Sequence, residues 1–340
     1  MAEILLQVKN LKSVYKTRFN ERIIAVDDVS FNLESGKCLG IAGESGSGKS
    51  TLAMSIMGYY HPPLFYESGA VYINGIDIAK LPYNQLRERI LGKEIAYIPQ
   101  AAMNALNPTQ KIINLVADVM KEHIKGISFN EIKRIAEERF ETLNLPKDVL
   151  QRYPIELSGG MKQRTVIAIS TILNPGILVA DEPTSALDVT SQKIVIKLLK
   201  NLIKRGFIKA MIFITHELPL LYNIADEILV MYAGEIVESG KTEEIIFDPI
   251  HPYSHGLMNS IIVPEKGIKG KKLAVITGAP PNLKSKLNGC RFFERCQFAK
   301  DECKSEKINL KSHGPRNYRC AFEIDELKEM YEDGKKSATT

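Results

Sequence analysis

The chain has 340 residues, 44% hydrophobic and 25% charged, which suits about two globular domains and excludes a disordered, collagen-like or coiled-coil protein. A net charge of +5 is too mild over this length to call for a nucleic-acid partner. The opening MAEILLQVKN has no signal-peptide pattern, and the apolar run at 165–180 is short for a bilayer span and interrupted by Asn174, Pro175 and Gly176. The expected location is therefore the cytosol, with any membrane role reached through a partner.

Over residues 1–260 short β-branched runs alternate with helical patterns, which predicts an α/β fold around a parallel sheet. Strands are expected at 38–42, 94–98, 176–180 and 211–215, each followed by a small or polar loop of the kind that holds ligands in open α/β sheets. From about 101 to 157 the pattern is helical: Ser128 and Glu131 read as a capping box ahead of Ile132, Ile135, Ala136, Phe140 and Leu143. This reads as a helical subdomain inserted in the α/β unit. A further amphipathic helix is expected over 189–204, with Ile194, Leu198, Leu199 and Leu202 on its apolar face. Residues 262–272, rich in lysine and glycine, read as a linker to a second unit (261–340) that ends in a polar, disordered tail.

Gly43-Glu44-Ser45-Gly46-Ser47-Gly48-Lys49-Ser50, followed by Thr51, fits G-x-x-x-x-G-K-[ST] between an apolar strand and a helical segment. Glycines let backbone N–H groups wrap a phosphate, and the helix N-terminus favours an anion. Lys49 would reach the β/γ-phosphates and Ser50 would bind Mg²⁺. Four apolar residues, 177–180, run into Asp181 and Glu182. The first carboxylate suits the Mg²⁺ shell and the second is placed to take a proton from an attacking water.

The segment Leu157-Ser158-Gly159-Gly160-Met161-Lys162-Gln163-Arg164 resembles the LSGGQ-type signature of ATP-binding-cassette (ABC) ATPases. The other landmarks follow in that family's order: Gln100 after AYIP, Ser185-Ala186-Leu187-Asp188, and His216 after MIFIT. The resemblance implies a cassette over 1–260, with a RecA-like core and an antiparallel β part. It makes Glu182 and His216 catalytic, stacks Tyr15 on adenine and adds Gln100 to Ser50 and Asp181 around Mg²⁺. It also sets Ser158, Gly159, Gly160, Gln163 and Asp188 against the ATP of an opposing cassette.

Local strings narrow the resemblance. MNALNP after Gln100, YPIE before the signature, HPYS at 251–254, and GAPPNL leading to GCRF are similar to the D-type ATPase of dipeptide/oligopeptide importers. That implies an F-type ATPase partner in a heterodimer, two transmembrane permease subunits, an extracellular substrate-binding protein and a peripheral place at the cytoplasmic face of the membrane. Similar cassettes serve oligosaccharide and nickel uptake. A soluble ABC ATPase acting on DNA or ribosomes is disfavoured by one cassette per chain and no strongly basic stretch. An iron–sulfur electron carrier would need a damaged Lys49, Glu182 or His216, and all three are intact.

Cys290, Cys296, Cys303 and Cys320 crowd into the second unit, which in a cytosolic chain favours a metal site over disulfides. Four thiolates can close a zinc site or a [4Fe–4S] cluster, and spacing does not choose between them. The resemblance favours [4Fe–4S]. Cys38 falls on an expected core strand and reads as a small buried hydrophobe.

Overall fold

The chain opens with two long antiparallel strands, β1 (Ile4–Lys16) and β2 (Arg22–Glu34). Their inward residues, among them Leu6, Val8, Leu11, Val26 and Val29, are buried in one core with Leu52, Ile56 and Ile212. Strand β3 (Cys38–Ala42) is buried at every position, as a central parallel strand is. It feeds through the glycine loop into α1 (Lys49–Ile56). Strands β4 (Leu64–Ile73) and β5 (Ile76–Asp77) complete an antiparallel sheet in the order β2-β1-β4-β5. This computed structural model describes residues 3–337 except 20, 186, 260–275 and 285–287. The linker expected at 262–272 lies outside the described residues.

After α2 (Tyr83–Arg89) and β6 (Ile95–Ile98) come α3 (Ile112–His123), α4 (Phe129–Thr142) and α5 (Gly159–Ser170). The expected helical stretch is present, and Ser128 caps α4 by accepting the Glu131 N–H at 3.2 Å. The α/β pattern then resumes with β7 (Ile177–Asp181), α6 (Val189–Lys204), β8 (Ala210–Ile214), α7 (Leu218–Ile224) and β9 (Glu227–Tyr232). The four strands expected from sequence match β3, β6, β7 and β8 to within one residue. One detail of α6 differs: it buries Gln192, Val195, Leu198, Leu199 and Leu202, whereas Ile194 is 46% exposed.

With β10 (Glu235–Lys241), β11 (Lys311–His313) and β12 (Arg316–Tyr318), the second sheet runs β11-β12-β10-β9-β3-β8-β7-β6. Its β6, β7, β8, β3 and β9 are parallel. Antiparallel β10 leads to α8 (Thr242–Phe247) and α9 (Pro252–Asn259), and α10 (Asp301–Ser305) precedes β11 and β12. Pairing of Glu238 with Tyr318 and Ser239 with Asn317 makes the late residues the edge of the main sheet. A small core of Ile250, Cys303, Tyr318, Cys320, Phe322 and Leu327 lies under α11 (Ile324–Ser337). Residues 335–337, expected to be disordered, thus belong to a helix. Among the described residues no helix is long and apolar enough to cross a membrane.

Candidate active site

The loop between β3 and α1 needs glycine at two positions for different neighbours. Gly43 has φ 149° and Gly48 φ 103°, and a Cβ on either would stand 2.3 Å from a carbonyl oxygen, of Met231 and Ala25 respectively. Lys49 is buried, its Nζ donating to the carbonyls of Gly43 (2.8 Å) and Glu44 (2.9 Å). Burial pushes its pKa down, against the pull of Glu182, Asp181 and Glu44. Ser45 and Gly46 are exposed at the loop's tip, and Tyr15, at the end of β1, meets the Thr51 hydroxyl at 3.1 Å.

Asp181 ends β7 and is 1% exposed. Burial pushes its pKa up, while hydrogen bonds from Ser50 and Tyr97 pull it down. The Tyr97 hydroxyl donates to Oδ2 at 3.1 Å, but Asp181 Oδ1 and the buried Ser47 hydroxyl have no partner. An unpartnered buried oxygen costs roughly 1–3 kcal/mol. The unpartnered Asp181 Oδ1, on a carboxylate that also meets Ser50, therefore suits Mg²⁺, a cation that prefers hard oxygen ligands.

Glu182 has φ 47°, a strained region for a non-glycine residue that the surroundings over-determine. Its N–H donates to Ile214 O (2.9 Å), and its carbonyl accepts the Ser185 N–H (3.1 Å) and hydroxyl (2.9 Å). The carboxylate is thereby aimed between two side chains: Gln100 Nε2 donates to Oε2 at 3.1 Å, and His216 Nδ1 lies 2.8 Å from Oε1. Gln100, expected on Mg²⁺, uses its amide N–H on Glu182 here.

The signature residues form a separate group. Ser158 caps α5, its hydroxyl accepting the Met161 N–H at 3.3 Å, and Ser158 and Gly159 are exposed. Gln163 is buried, with an unpartnered Nε2. Asp188 caps α6 through the Thr190 and Ser191 N–H groups, and the Ser191 hydroxyl holds its pKa down. Exposed donors at the start of α5 suit an anion brought from outside the chain.

Cys290, Cys296, Cys303 and Cys320 line one small cavity with Phe292, Phe293 and Phe322. Gly289 makes this possible, since a Cβ there would stand 2.1 Å from Cys303 O, to which the Cys290 N–H donates at 2.7 Å. Among the described residues, however, no three His, Cys, Asp or Glu side chains are placed so as to hold a metal ion. Burial pushes the Cys290 thiol up to about 12, and those of Cys296 and Cys320 to about 11. Cys38 is buried on β3, as expected.

Residues 26–185 match the ABC transporter family model, and residues 237–303 match the oligopeptide/dipeptide transporter C-terminal region. A dipeptide transport ATP-binding protein, DppD of Caldanaerobacter subterraneus, is 39% identical over 98% of both chains. The chain belongs to the ABC transporter family. Among other relatives of this ABC subunit, an oligopeptide transport ATP-binding protein, OppD of Bacillus subtilis, is 40% identical over 87% of this chain and 82% of its own. A solved dimeric ATP-binding cassette in a post-hydrolysis state, bound to ADP and Pi, superposes with a TM-score of 0.62. It is 28% identical and covers 70% of this chain and 98% of its own.

Sequence reasoning missed several residues of this ABC subunit's site. Tyr97 on Asp181 follows the expected strand 94–98 by its place on β6, next to β7. Gln192, on Glu217 at 3.0 Å, stood on a helix read only for its apolar face. Tyr253 and Arg295 both reach Glu44. They sat inside strings, HPYS and the cysteine segment, that were read only as marks of resemblance.

Proposed function

We propose that Glu182, held between Gln100 and His216, is the base of ATP hydrolysis that drives uptake of dipeptides or oligopeptides. The protein is an ATPase of the ABC family and the ATP-binding subunit of a peptide importer, like its relatives along nearly the whole chain. As such it works peripherally at the cytoplasmic face of the membrane, beneath permease subunits fed by a substrate-binding protein.

The observation that carries the site reading is the convergence on Glu182. A carboxylate gripped by an amide and an imidazole, near enough to Lys49 to pull its pKa up, suits a base that takes the proton of a water attacking a bound phosphate. In this reading Lys49 and Ser50 through Thr51 bind the phosphates, with Gly43 to Gly48 wrapping them, and Ser50, Asp181 and Gln100 hold Mg²⁺. The metal neutralises charge developing on the phosphates. Tyr15 stacks on adenine, and His216 senses the γ-phosphate. The exposed Ser158, Gly159 and Asp188, with Gly160 and the buried Gln163 behind them, complete the nucleotide site of a second, F-type cassette in a heterodimer.

In this reading the motion passes to the permease through the mostly apolar, charge-poor segment after Gln100. Assembly with the permease and binding protein in vesicles tests the reading. ATP turnover is expected to rise severalfold when the binding protein carries a dipeptide or oligopeptide. Equal stimulation by a sugar or by nickel would move the subunit to another importer class.

We further assign a [4Fe–4S] cluster to Cys290, Cys296, Cys303 and Cys320 in a cysteine-rich C-terminal unit. The resemblance to dipeptide-importer ATPases supports a cluster over zinc, and the four thiols line one cavity. When bound, the cluster would join three segments and exclude water behind Phe292, Phe293 and Phe322. Protein purified without oxygen is expected to hold about four irons and four sulfides per chain. One zinc without iron would refute the cluster and leave the ATPase reading standing.

A further inference from the structure

We propose that Arg295 is a positioning residue of the phosphate loop, acting on it through Glu44. The proposal rests on reading residues 43–50 as the nucleotide loop. Arg295 belongs to the short cysteine-bearing segment from Cys290 to Cys296, more than two hundred residues from the loop it touches. Its side chain is only 5% exposed. Nη1 and Nη2 grip Glu44 Oε2 and Oε1 at 2.8 and 3.1 Å, a forked pair that fixes direction as well as distance. The remaining donors are used to hold the guanidinium: Nε donates to Thr277 O at 3.0 Å, and Nη1 also to the Tyr232 hydroxyl at 3.2 Å.

Glu44 is held at each of its polar groups. Its N–H donates to the Tyr253 hydroxyl at 2.8 Å, its carbonyl accepts from Lys49, and its carboxylate is in the fork. The same segment secures the loop's other flank. Arg291 bonds Asp27 and the Ala233 carbonyl, and Gly234 beside it donates to Ser47 O at 2.8 Å. Lys49 must leave the Gly43 and Glu44 carbonyls to reach a phosphate. Once it has left, Arg295 and Tyr253 are the contacts that keep Glu44 in place. The loop then meets nucleotide already shaped, and the ordering cost of binding is lower. Glu182 and His216 lie on other loops, so the clamp acts on binding and leaves the chemical step alone.

The test is MgATP affinity of the full chain by equilibrium binding, with KM and kcat alongside. Arg295→Ala is expected to weaken binding and raise KM about tenfold, the loss of one charge-assisted hydrogen-bonded pair, with kcat changed less than twofold. Glu44→Ala is expected to do the same, and the double variant to be no worse than either single one. Arg295→Lys keeps the cation without the fork and should fall between; it decides the matter if the alanine variant fails to fold. Wild-type affinity in a folded Arg295 variant, even with a lowered Tm, would reduce the residue to a structural part. Additive losses in the double variant would overturn transmission through Glu44. Lys49→Ala separates the two readings. If it binds MgATP normally the loop assignment itself fails, whereas if it loses binding while Arg295→Ala keeps it, only the clamp fails.

Discussion

Glu182→Gln is expected to bind MgATP as tightly as the parent chain while turnover falls roughly 10²- to 10⁴-fold, the range removed with a general base. The substitution is close to isosteric. Its amide oxygen can still accept from Gln100, and its NH₂ can donate to His216 Nδ1, so the contacts at 3.1 and 2.8 Å have replacements. What disappears is basicity. Lys49, Ser50 and Asp181 are untouched, so ground-state binding persists and the loss falls on kcat alone. Single-turnover hydrolysis with equilibrium ATP binding measures both halves. Turnover within threefold of the parent would remove Glu182 from proton transfer and leave His216, 57% exposed, as the candidate. On the proposed pairing with a second cassette, accumulation of an ATP-bound dimer is the companion result, because the uncleaved nucleotide stays between the two cassettes.

What sequence made legible here is what is local along the chain. A buried parallel strand is apolar throughout, so β3, β6, β7 and β8 stand out, and their C-terminal ends lead to Lys49, Gln100, Asp181 and His216 in order. The glycine loop is local too, since its chemistry is written within eight residues. Contacts made by topology were not legible. Tyr97 meets Asp181 only because β6 pairs with β7. Arg295 meets Glu44 because the cysteine segment folds back on the loop. The spacing of the four cysteines likewise says nothing of their meeting. That depends on β12 pairing with β10, which brings Cys320 back, and on Gly289 lying flat against Cys303. The tail was misread for another reason: Leu327, Met330 and Tyr331 repeat at helical spacing and pack on the small core, a signal masked by the charged residues between them.

The late residues depend on a buried charge pair whose removal has the other large expected effect. Glu238 is fully buried on β10, accepting the Ile250 and His251 N–H groups at 2.8 and 2.9 Å and Arg316 Nη2 at 2.9 Å. Arg316, itself 7% exposed, ties β12 to this carboxylate and to Asp248. Burial already pushes the Glu238 pKa up, and Arg316 is among the groups pulling it down. Arg316→Ala should therefore destabilise the packing of β12 and α11 on β10 by roughly 3–5 kcal/mol, because it leaves a buried carboxylate without its counter-charge. The sign with pH follows. A carboxyl whose folded pKa is raised binds a proton in the folded state that the unfolded chain has released, so stability falls as pH rises above the ordinary carboxylate range. The variant should be least impaired near pH 5 and most impaired near pH 8, and Glu238→Gln added to it should recover most of the loss. Hydrogen exchange of residues 250–254 and 316–318 at the two pH values reads this directly. Equal protection in variant and parent at pH 8 would show that the strand pairing, and not the ion pair, holds the C-terminal edge to the main sheet.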